Sequence, residues 1–68
     1  MNEEAFNRSL RQLLKSFGVT AQREVEKRVE TGLRGGALAG RRALPAKITL
    51  EVSGAGAPIV VEGEITLD

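Results

Sequence analysis

Sixty-eight residues carrying ten basic and nine acidic side chains, a formal charge of +1, make a chain about half the usual domain length, which excludes a second folded unit. The near-zero balance also excludes a large field that would gather nucleic acid or anionic lipid. Cysteine and histidine are both absent, so a disulfide framework, the common zinc ligand sets and imidazole acid-base chemistry have no residues to build them.

The N-terminal Asn2, Glu3 and Glu4 are polar where a secretory signal would turn apolar. The longest strongly apolar run, Ile59 to Val61, falls far short of the roughly 20 residues that span a bilayer. A cytoplasmic protein without membrane contact is the expectation.

Phe6, Leu10, Leu13, Leu14 and Phe17 recur at helical spacing within a stripe about 100° wide, which predicts an amphipathic helix over residues 3–17. Asn2 suits its N-cap, and Glu3 and Glu4 lie against the positive end of the helix dipole. Gly18 offers a stop, and Thr20 an N-cap for a second helix over 21–34, although Arg23 stands where a capping box wants Glu or Gln. Val25, Val29 and Leu33 form the narrow apolar side of this helix, with Glu24–Arg28 and Glu30–Arg34 at ion-pair spacing. Gly35 and Gly36 end it. Residues 35–44 mix glycine, alanine and arginine around Leu38 and read as a flexible connector.

From Pro45 the period becomes two. Ile48, Leu50 and Val52 alternate with polar residues, as do Ile59, Val61, Ile65 and Leu67 later in the chain, predicting a half-buried hairpin over 46–67 with its turn at Ser53–Ala57. Pairing Val52 with Ile59 sets Ile48 opposite Gly63 and Lys47 opposite Glu64, leaving a dent at Gly63 for Phe6 or Phe17 to fill. The expected architecture is therefore α+β, two N-terminal helices packed on a C-terminal antiparallel hairpin. The two phenylalanines are its expected anchors.

No residue pattern specifies catalysis, a metal or a cofactor. Glu51, Glu62 and Glu64 read as solvent-facing strand residues, because catalytic carboxylates need a pocket to shift their proton affinity. Arg8, Arg11 and Lys15 read as a solvated helix face. The glycines before Arg41 and Arg42 lack a phosphate-loop lysine motif. Arg34, Arg41, Arg42 and Lys47 are the best candidates for a basic binding surface.

The leading expectation is a small binding or protein-interaction module without catalytic activity. Its partner is either another protein or a second copy joined through the hairpin edge, since a lone two-stranded sheet has two open edges. The alternative is a nucleic-acid-binding helix-turn-helix with the hairpin as wing, suggested by Phe17-Gly18-Val19-Thr20. Glu24 and Lys27 occupy places where that motif buries apolar residues, and Glu24, Glu26 and Glu30 would repel phosphate.

Asn2-Glu3, Phe6-Asn7, Ser9-Leu10-Arg11, Leu14-Lys15, Gly18-Val19-Thr20, Gln22-Arg23-Glu24 and Glu26-Lys27, with Leu44-Pro45-Ala46-Lys47, Thr49-Leu50 and Val61-Glu62-Gly63-Glu64-Ile65, resemble a family of short uncharacterised bacterial proteins, a domain of unknown function. The resemblance implies a stand-alone bacterial protein and carries over no catalytic residue, ligand or partner.

Overall fold

A computed structural model describes all 68 residues. One helix, α1 (Glu3–Arg34), is followed by two strands, β1 (Ala43–Leu50) and β2 (Ile59–Thr66), paired antiparallel as a two-stranded sheet. The α+β class holds, but the two expected helices, 3–17 and 21–34, are one. Gly18 does not take a left-handed backbone, and Thr20 caps nothing.

The physical reason lies in what a break would expose. Ending one helix and starting another orphans four carbonyls and four N–H groups, and Thr20 could satisfy only one of those donors. Running helix through Gly18 and Thr20 costs under about 1 kcal/mol at each. Phe17, Ala21 and Val25 also follow one another at steps of four, so the two apolar stripes join without a phase change. At the N-terminus Asn2 caps as expected, its side-chain oxygen accepting from the Ala5 amide at 3.1 Å. At the other end Gly36, with φ +89, turns the chain out of the helix.

The stretch read as a flexible connector carries a run of turn hydrogen bonds, among them Leu38 N–H to Gly32 O at 3.0 Å and Arg41 N–H to Leu38 O at 3.1 Å. Leu38 folds back onto Gly32, where a Cβ would stand 2.6 Å from its Cδ1. The helix end and the start of β1 are thereby joined by a compact turn.

The strands pair Leu50 with Ile59, Ile48 with Val61, Lys47 with Glu62 and Ala46 with Gly63. This corrects the expected register by two residues. An even shift leaves every side chain on its face, so alternation cannot choose between the two. The loop chooses: Val52 gives its carbonyl to the Ala55 amide in a turn, and Gly54 and Gly56 take positive φ, so residues 51–58 all belong to the loop. The ladder extends at its other end instead, where Leu67 N–H donates to Arg42 O at 2.7 Å. Pairing at Arg42–Leu67 puts Pro45 at a non-hydrogen-bonded position, its missing donor on the outer edge.

Leu44, Ala46, Ile48 and Leu50 share the helix-facing side of the sheet with Ile59, Val61, Gly63 and Ile65. Strand and helix Cα atoms nonetheless stay more than 8 Å apart, and not one of the 68 residues is buried. The expected anchors Phe6 and Phe17 are each 49% exposed. No side chain approaches within 4 Å of a Cβ built at Gly63, so the dent expected there to take a phenylalanine is unfilled. The molecule measures 50 × 22 × 18 Å with a radius of gyration of 15.9 Å, against about 11 Å for a compact chain of this length.

Helix continuity makes a direct prediction. A Cβ at Gly18 meets nothing within 4 Å, so Gly18→Ala should stabilise the protein by about 1 kcal/mol, raising the thermal midpoint by roughly 4 to 8 °C. Gly32→Ala, which collides with Leu38, should not show that gain. A loss of stability in Gly18→Ala, followed by circular dichroism, would mean that Gly18 ends a helix after all.

Candidate functional site

Many of the apolar side chains that find no interior gather between α1 and the sheet. Each step of four along α1 advances about 40° around its axis, so the stripe winds as it climbs. Leu13, Leu14 and Phe17 face Ile48 and Leu50 of β1 across one open groove. Phe17, Ala21 and Val25 lie over the middle of the sheet beside Ile48, Val61 and Ile65. Farther on, Val25, Val29 and Leu33 have rotated to the β2 flank, where with Ala21, Ile65 and Leu67 they line a trough of about 630 Å³. Gln22, Glu26 and Glu30 form its polar rim.

Across the molecule thirteen large apolar side chains remain exposed, Leu33, Ile59 and Val61 among them. Seven of them line the grooves between α1 and the sheet, whereas Val19, Val52 and Val60 line none of them, and an apolar run of that kind is the part of the molecule to explain. Sequence periodicity identified the groove-lining residues and placed them in a core. Their exposure follows from the shape of the chain.

The four basic candidates fall into two places, Arg34, Arg41 and Arg42 around the turn after α1 and Lys47 on the sheet. Arg34 closes the helix and pairs with Glu30. Arg41 donates from Nη2 to the Ala43 carbonyl at 3.2 Å, and the neighbouring Arg42 serves the ladder through its own carbonyl. Lys47 sits opposite Glu62 on the outer face of the sheet, about 16 Å along the strand from Arg42. The continuous helix also removes the turn that a helix-turn-helix reading required.

Charged groups elsewhere pair at the surface. Glu24 lies 3.6 Å from Lys27 and 4.0 Å from Arg28, contacts worth a few tenths of a kcal/mol each. Glu62 and Glu64 share the outer face of β2, and no three acidic side chains gather in a geometry that would hold a metal ion. No helix is long and apolar enough to cross a membrane.

The chain belongs to DUF6494, described as a family of unknown function, whose family model matches residues 1–68. No curated protein and no solved structure matches it. The resemblance to a domain of unknown function is thus established over the full sequence.

The groove over Gly63 yields a measurable consequence. Its backbone does not need glycine and a Cβ there meets nothing, so Gly63→Ala should gain about 0.5 to 1 kcal/mol from reduced unfolded-state freedom. The midpoint of urea unfolding should move upward. A downward shift would show that another group occupies the groove in solution.

Proposed function

We propose that this member of a family of unknown function is a small interaction module of the bacterial cytoplasm, without catalytic activity, whose working surface is the apolar trough and the stripe leading into it. One observation carries the reading: no residue is buried, while seven of the exposed large apolar side chains line a connected run of grooves between α1 and the sheet. A fold that leaves its would-be core in water gains stability by burying it against a partner. The ionisable side chains meanwhile lie on exposed faces, outside the enclosed setting that acid-base work requires.

A nucleic-acid partner would leave a different signature. Phosphate contacts draw on free, convergent cations and weaken steeply with salt, whereas Arg34 pairs with Glu30, Arg41 donates to the Ala43 carbonyl and Lys47 stands opposite Glu62.

Photo-crosslinkers placed singly at Val29, in the trough, and at Lys27, whose side chain is 75% exposed on the charged side, test the reading in cells. Val29 should yield a discrete protein adduct and Lys27 none. Failure to capture any protein from Val29, together with duplex-DNA binding that falls steeply as salt rises, would replace the module with a nucleic-acid binder.

A further inference from the structure

We propose that the partner of the trough is a second copy of this chain, joined about a two-fold axis near the C-terminal end of β2, so that β2 pairs with its copy around Glu64 to Thr66 and the two helices pack through Val25, Val29 and Leu33. This deepens the interaction-module reading and rests on it.

The surface area points to a partner of this size. The chain exposes 6060 Å², whereas a compact protein of its mass exposes about 4,200 Å². The excess of about 1,900 Å² per chain is more than double the roughly 800 Å² each partner buries in an interface of standard size. Burying that excess on both copies gives a total within the 2,000 to 5,000 Å² range of obligate homodimers. With a net charge of only +1, two copies meet without bulk repulsion.

The geometry selects the edge. On β1 the outer edge lacks a donor at Pro45, whereas β2 from Ile59 to Thr66 contains no proline and presents the outward backbone groups of Val60, Glu62, Glu64 and Thr66. The trough lies on the same flank, lined by Ile65 of β2 and Leu67 just beyond it and by no residue of β1. Each copy would contribute two strands, so equivalent helices stand two strand spacings apart, about 9.6 Å. Packed helices are separated by about 8 to 10 Å.

The angles agree as well. Two strand steps of a twisted sheet accumulate about −40 to −50°. Ala21, Val25, Val29 and Leu33 form a ridge of four-residue steps, and two such ridges interlock at about −50°. Winding of the stripe, which carries Val29 and Leu33 off their own sheet, turns them toward the neighbouring helix. Glu62 and Glu64 bring like charges near the new strand pair, a cost small beside the apolar area covered.

Sedimentation equilibrium of the full chain, with circular dichroism on the same samples, tests the assembly. The parent should run at twice 7.3 kDa, and its thermal midpoint should rise with protein concentration. Val29→Glu, which puts a charge in the trough, and Glu64→Pro, which removes an outward donor while leaving the hairpin's own ladder intact, should each weaken the dimer at least tenfold or unfold the chain. Lys27→Gln should leave it unchanged. A parent at 7.3 kDa at every concentration, with a concentration-independent midpoint, overturns the dimer. If that monomer binds a solvatochromic apolar dye, the interaction module survives with a different partner, and if it binds none, both readings fall. A Val29→Glu dimer as tight as the parent overturns the helix contact, an unaffected Glu64→Pro dimer overturns the strand pairing, and a mass climbing past two copies overturns two-fold closure.

Discussion

Everything unusual in this molecule descends from the helix that does not break at Gly18. An uninterrupted α1 spans 32 residues, about 48 Å, and a rigid rod of that length cannot fold back on itself. Its only internal partner is a hairpin of eight-residue strands, each about 26 Å long. The sheet is thus about half as long as the rod beside it. Two broken helices could have closed over both strands; one straight helix leaves Phe6 exposed toward one end and Leu33 toward the other.

Exposure in turn limits the chemistry. With no buried side chain anywhere, no carboxylate or amine is held in a low-dielectric setting, and the ion pairs along α1 sit in water, where each contributes little. Specific structure is retained where geometry is local: the Asn2 cap, the fold-back of Leu38 onto Gly32 and the loop turn at Val52–Ala55. These devices position the elements without enclosing a core. One copy of this size has little apolar burial to draw on, and the proposed dimer would add to it at the trough beside β2.

Much of the local structure was legible in the residues. The period-two runs marked both strands and the face each side chain takes, and Asn2 with two following glutamates marked the helix start. Helix continuity was legible too, in the four-residue steps from Phe17 to Ala21 to Val25, but Gly18 and Thr20 carry strong local signals for a stop and a cap. Those preferences are worth about 1 kcal/mol or less each, and the unbroken hydrogen-bond ladder outweighs them. The strand register was hidden for another reason: two registers two residues apart place the same side chains on the same faces, and only the backbone of Val52–Gly56 separates them.

The residues by themselves determined which positions are apolar and at what period, because helix and strand geometry impose those repeats on any chain that hides one side of each element. They also determined the absence of thiol and imidazole chemistry, since no residue supplies it. Whether the apolar positions meet was decided only in three dimensions. A stripe advancing about 40° at each four-residue step looks continuous along the sequence, yet in space it leaves the sheet and turns Val29 and Leu33 to the β2 flank. Periodicity reports the spacing of side chains along one element, and burial depends on how long, how straight and how close the next element is.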